Sequence, residues 1–139
     1  MRLACSLSLL IFLNGCKPSD EGLPAFVEAS TVELITTVGQ GSNSHAISEL
    51  WVYVDGNVLG VLDTPMKLPV LEEGNHDIAV YGGIKNNGMG TSRIRYPFYT
   101  SFDTTLNLKA GESFNVNPTF RYVSNALVDA SRNFEAGNT

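Results

Sequence analysis

The feature that most constrains this chain is a period of two in its apolar residues, repeated in short runs that each end in a turn signal. Val32, Leu34, Thr36 and Val38 share one parity, with Glu33 and Thr37 on the other. Leu50, Val52 and Val54 alternate with Glu49, Trp51 and Tyr53, and Ile78 and Val80 alternate with Asp77 and Ala79. Ile94, Tyr96 and Phe98 alternate with Arg93, Arg95 and Tyr99. Phe114, Val116, Phe120 and Tyr122 alternate with Asn115, Asn117, Thr119 and Arg121. Successive side chains of a strand point to opposite faces, so each run offers one face to a core. Turn signals separate the runs: Gly39 to Asn43, Asp55-Gly56-Asn57, Asp63-Thr64-Pro65, Glu73-Gly74-Asn75, Asn86-Asn87-Gly88 and Ala110-Gly111. No ten-residue helical pattern lies between strands, so the spacing suits an antiparallel β-sandwich better than a βαβ arrangement. The pattern predicts an all-β chain, an antiparallel β-sandwich of about seven to eight strands. The segments are 31–38, 48–54, 58–62, 67–71, 76–82, 92–99, 103–109 and 113–122, with Pro97 making its strand an edge or a bulge. Leu50, Val52, Val54, Ile78, Val80 and Ile94 are the expected core.

The start of the chain has a different character. Arg2 precedes a mostly apolar run from Leu3 to Leu13, too short to span a bilayer, and the segment ends Leu13-Asn14-Gly15-Cys16. This is the layout of a secretory signal peptide. Its last four residues resemble a lipobox, the processing signal of bacterial lipoproteins. The resemblance implies that Cys16 carries a diacylglycerol thioether and, after cleavage, becomes the acylated N-terminus. Several acyl chains, each methylene worth about 0.8 kcal/mol, make such an anchor effectively permanent. The other readings are an ordinary cleaved signal with an incidental cysteine, or a Cys5–Cys16 disulfide, which would stabilise no core. Lys17 to Gly22 is short, polar and turn-forming and reads as a tether. Ser19-Asp20-Glu21 resembles the acidic surface-export signal of some Gram-negative lipoproteins; a merely solvated linker is the alternative. The expected division is a signal peptide at 1–15, an acylated N-terminus and tether at 16–29, the sandwich at 30–123 and a tail at 124–139. In the tail, Ala126 to Ala130 suit one helical turn.

The middle of the chain carries a second resemblance. Val52-Tyr53-Val54-Asp55-Gly56 is followed by Gly60, Thr64-Pro65, Leu71, Gly74, His76, Ile78 and Val80. In order and spacing this resembles the PEGA domain, a small β-sandwich module of bacterial envelope proteins, although Asp63 to Pro69 lacks the Pro-Glu-Gly-Ala that names it. The resemblance implies a fold and an envelope location, and brings no catalytic site.

Composition narrows the function. The net charge is −5, and no Lys/Arg cluster supplies the basic face that nucleic acid requires. No Gly-x-Ser-x-Gly elbow, P-loop or dinucleotide fingerprint is present. His45 and His76 stand far apart without companion ligands, so neither a metal nor a cofactor is expected, and no catalytic residues are assigned. His76 reads as packed or hydrogen-bonded, and His45 as solvated.

Two features are candidate binding surfaces. Trp51, Tyr53, Tyr81 and Tyr99 have the parity opposite to the main apolar sets, so they face outward, or else pack under a loop or against the second sheet. The stretch 82–90 reads as a long flexible loop carrying Ile84 and Met89. The expectation is a non-catalytic lipoprotein at the outer membrane, lipid-anchored through Cys16 and exposed at the surface if the export signal operates. Its partner is an envelope protein, with a glycan on the outward aromatics as the alternative.

Overall fold

The computed structural model describes residues 22–86, 89–90 and 92–126, and these contain ten strands and no helix. The leader, Cys16, the tether as far as Glu21 and the tail beyond Ala126 lie outside the described residues. The strands are β1 (Ala25–Ala29), β2 (Glu33–Ile35), β3 (Glu49–Val54), β4 (Asn57–Asp63) and β5 (Met66–Val70). They continue with β6 (Gly74–Lys85), β7 (Arg93–Arg95), β8 (Phe102–Leu108), β9 (Ser113–Asn115) and β10 (Thr119–Arg121).

The largest sheet is built around the longest strand. β6 takes β3 along one edge, and β4 continues the sheet beyond β3. Along its other edge β8 pairs with residues 74–80 and β7 with residues 83–85. A second sheet has the order β5-β1-β9, and β2 pairs with β10 in a third. β3 and β4 form a hairpin in which Val54 faces Asn57 across Asp55-Gly56. Both turn residues have positive φ, 48° and 79°, the type I′ geometry whose twist matches that of the flanking strands.

The inner faces of the sheets meet in one apolar core. Val27 of β1, Met66 and Val70 of β5, Leu50 and Val52 of β3, Ile78 and Val80 of β6, Leu108 of β8 and Phe120 of β10 are all buried. Gly82 of β6 lies against the largest of them: a Cβ there would stand 3.5 Å from the Phe120 ring, an ordinary van der Waals contact. Burying one such side chain is worth about 1.5–3 kcal/mol.

Several expectations need correction. The folded part begins before residue 30, because Ala25–Ala29, expected in the tether, is the central strand of the second sheet. The arrangement is not wholly antiparallel: β1 with β9 and β10 with β2 run parallel. The single strand expected at 113–122 is two. Asn117 turns to φ 33° and Pro118 has no N–H to give a ladder. The Asn117 side chain instead accepts hydrogen bonds from the Ser30 and Thr31 N–H groups, so the β1–β2 and β9–β10 corners are fastened together. The strand expected at 92–99 stops at Arg95, where Tyr96 to Tyr99 close a turn, and Ile94, expected in the core, is 39% exposed.

Candidate functional site

The outward face of the large sheet concentrates the chemistry. The register places Glu49 beside Gly83, Trp51 beside Tyr81 and Tyr53 beside Ala79 on β3 and β6. Directly paired cross-strand neighbours sit about 4.5–5.5 Å apart, so these side chains form one continuous surface. Tyr53 and Tyr81 meet edge to face with ring centroids 5.2 Å apart. The Arg95 guanidinium on β7 lies 4.8 Å from the Tyr81 ring and 5.5 Å from the Tyr53 ring. A cation over an aromatic face is held by the ring quadrupole, so Arg95 is held against these two rings.

Next to the aromatics stands a group that the sequence does not reveal. Glu49 is completely buried, although it has the outward parity. Gly83 has no side chain to keep it away. A Cβ on Gly83 would lie 3.0 Å from the Glu49 Cγ and 2.9 Å from the Trp51 Nε1, so indole and carboxylate stem together fill the glycine's place. Arg93 reaches across from β7: its Nη1 is 3.2 Å from Glu49 Oε2 and its Nη2 is 3.8 Å from Asp63 Oδ1. The approach to Glu49 is an ion pair without hydrogen-bond alignment, so neither carboxylate oxygen accepts a hydrogen bond from the protein, and the Trp51 N–H donates none. A buried charge with a single, partly exposed counter-ion is costly, which makes Arg93 the group that stabilises this face.

The other end of the same face is acidic. A groove of about 340 Å³ is lined in part by Gly56, Asp77, Ala79, Asp103 and Thr105. The Thr105 hydroxyl donates to Asp77 Oδ1 at 2.8 Å and the Ser101 hydroxyl to Asp103 Oδ2 at 2.6 Å. At the hairpin turn, Asp55 accepts from the Asp77 N–H at 2.9 Å and from His76 Nδ1 at 2.6 Å. The other ring nitrogen, Nε2, lies 3.1 Å from the Glu73 carbonyl. Both partners are acceptors, so this arrangement suits the imidazolium, which donates from both nitrogens. The hydrogen bond to Asp55, then that to Glu73, holds His76 above its ordinary pKa, and the bond from His76 holds Asp55 below its own. His45 is exposed, with Nε2 3.3 Å from the Val32 carbonyl.

Of the expected surface residues, Trp51, Tyr53 and Tyr81 stand together and half-buried on this face. Tyr99 does not join them. It packs against the core with Phe120, Tyr96 and Tyr122, where burial and then the Tyr122 hydroxyl push its phenol above the ordinary value. Ile84 is not in a loop but in β6, paired with Ile94 and carrying the inner parity. Met89 lies in the β6–β7 connection, 55% exposed and apart from the aromatic group. The loop expected at 82–90 therefore begins only after Lys85. The residues that sequence reasoning missed are Glu49, Arg93 and Arg95; the one available signal was Gly82-Gly83 inside an otherwise strand-like run.

Among the described residues, no three His, Cys, Asp or Glu side chains converge as a metal site, and no helix is long and apolar enough to cross a membrane. Compared with protein-family models, curated proteins and solved structures, the chain matches none significantly.

Proposed function

We propose that this chain is a non-catalytic bacterial envelope lipoprotein, anchored at the outer membrane through acylated Cys16. Its body is a PEGA-like β-sandwich that works as an accessory or assembly module. The contact surface is the outward face of β3, β6 and β7. The observation that carries this reading is the grouping of Trp51, Tyr53 and Tyr81 with Arg93 and Arg95 on one sheet face. Tyr, Trp and Arg are the residue types that dominate the energetic centres of protein interfaces. A glycan on these aromatics has less support, because the Arg95 guanidinium occupies the Tyr53 and Tyr81 ring faces that a sugar would stack on. The leader supports the anchoring half of the proposal through Leu13-Asn14-Gly15-Cys16.

Fractionation combined with photo-crosslinking tests both halves. Cys16→Ser should release the protein from membranes or leave the leader uncut; normal processing with full membrane retention would remove the anchor. A photo-crosslinking residue at Tyr53 should capture a defined protein in intact cells, and one at Asn115 on β9 should not. Equal capture from the two positions would remove the contact surface.

A further inference from the structure

We propose that the outward face binds a second copy of this chain, the two packing face to face about a two-fold axis that crosses the strands at the Trp51–Tyr81 pair. This rests on reading that face as a contact surface, and it names the partner. The argument comes from the register. β3 occupies one edge of β6, and β7 and β8 share the other edge end to end. Two residues along β6 from Tyr81 in one direction is Gly83, which faces Arg95; two in the other direction is Ala79, which faces Asp103. Four residues away stand Lys85 on one side and Asp77 on the other. A two-fold axis lying between two facing sheets, perpendicular to the strands, reverses strand direction and keeps lateral order. Each residue then meets the one equally far beyond the axis. Arg95 falls over Asp103 of the second copy, and Lys85 over Asp77 of the second copy. Tyr81 meets itself.

The charges that this symmetry brings together are the free ones. Among the described residues, no carboxylate lies within 4.0 Å of the Arg95 or Lys85 cation, and no cation within that distance of the Asp77 or Asp103 carboxylate. Asp77 and Asp103 each use one oxygen for a hydroxyl and keep the other free, beside a groove floored by Ala79. In the lone chain the Arg95 guanidinium rests against Tyr81 and Tyr53, and docking swings it from those rings onto Asp103 of the second copy. Facing sheets cross at about 30°, and four residues of strand span about 13 Å, so long Arg and Lys side chains stay within reach. An acidic segment of another protein would use the basic end alone. A second copy uses both ends, and each pair forms twice, as a two-fold interface requires.

Sedimentation equilibrium of the full chain in density-matched detergent tests this. The unaltered chain should dimerise, more weakly as salt is raised. Arg95→Asp and Asp103→Arg should each weaken self-association by at least about tenfold, because each sets like charges against each other. The double variant Arg95→Asp/Asp103→Arg should return to within about threefold of the parent, since the swapped charges again face their opposites. Thermal unfolding of each variant shows that it is folded; both positions are exposed. A short bis-maleimide should also link two Tyr81→Cys chains in membranes. A monomer at every concentration, or folded single variants that weaken association with no recovery in the double, overturns the proposal. If the chain is monomeric and the crosslinker at Tyr53 captures another envelope protein, the dimer fails and the contact surface stands. If it captures nothing, both fail.

Discussion

The two faces of the β3–β6 pair are made by the same two strands, yet they obey different rules. Inward, Leu50, Val52, Val54, Ile78 and Val80 are all aliphatic, and none is more than 7% exposed. Outward, a fully buried carboxylate, an indole, two phenols and a bare glycine stand in the same ladder. The inner face needs only apolar bulk of the right volume, so each residue there is replaceable by another of similar size. The outer face works by particular neighbours: Glu49 is tolerable because Arg93 lies on it, and it is buried because Gly83 leaves it room.

The largest effect should come from the inner face. Leu50→Ala removes a fully buried side chain and should cost about 2–5 kcal/mol. That is a large part of the 5–15 kcal/mol expected for a whole domain. Urea denaturation would measure it, and a loss under about 1 kcal/mol would mean that the two faces do not differ as described. On the outer face, Arg93→Ala should cost about 1–3 kcal/mol, less than a fully buried pair because Arg93 is 36% exposed. The loss arises from the stranded Glu49, so Glu49→Leu in the same background should recover most of it. If Arg93→Ala is neutral, Glu49 does not depend on it and the outer face is no more specific than the inner.

Gly83→Ala comes next. Its new methyl would sit 2.9 Å from Trp51 Nε1, in a place the indole now fills. Overpacking costs about 1–3 kcal/mol, and reduced unfolded-state freedom offsets about 0.4–1 kcal/mol, leaving a net loss near 1 kcal/mol. Trp51 is the chain's only tryptophan, so its emission should shift as the ring is displaced. An unchanged spectrum would separate Trp51 from the glycine.

The difference between the faces also explains what could be read from the sequence. The inner parity of β3 and β6 was legible because alternation is local and apolar. The Asp55-Gly56 hairpin was legible because only a few residue types take positive φ cheaply. β1 gives little local signal because Ala25-Phe26-Val27-Glu28-Ala29 is short, buries small alanines and follows a polar tether. Residues 92–99 read as one strand because Ile94, Tyr96 and Phe98 keep the alternation while the backbone turns at Pro97. Trp51, Tyr53 and Tyr81 were found by parity, but Tyr99 has the same parity and packs inward, since its segment is not part of their ladder. Glu49 carried no local sign at all. Its burial depends on a glycine 34 positions away and an arginine 44 away, joined to it only by strand pairing.

The smallest effect lies where the outer face meets the turn. Asp55 closes the β3–β4 hairpin onto β6 through the Asp77 N–H, and His76 completes the link. His76 is raised above its ordinary 6.5 in the folded chain. Its contribution is therefore fully present below pH 6.5 and is lost as the pH rises through the higher folded value. Asp55 is lowered below its ordinary 3.8, so its contribution is present above pH 3.8 and is lost as the pH falls through the lower folded value. The link is strongest between these two limits, and it weakens on the alkaline side first for any protein kept near neutrality. Both groups sit near solvent, so salt should weaken the link as well. Unfolding midpoints of the parent and of His76→Gln, compared from pH 5 to pH 9, isolate the effect from every other titrating group. The gap between the two should narrow as the pH rises past 6.5. A gap that stays constant, or widens, would show that His76 holds the turn by packing alone, and the hairpin would then belong with the inner face, where shape and not charge decides.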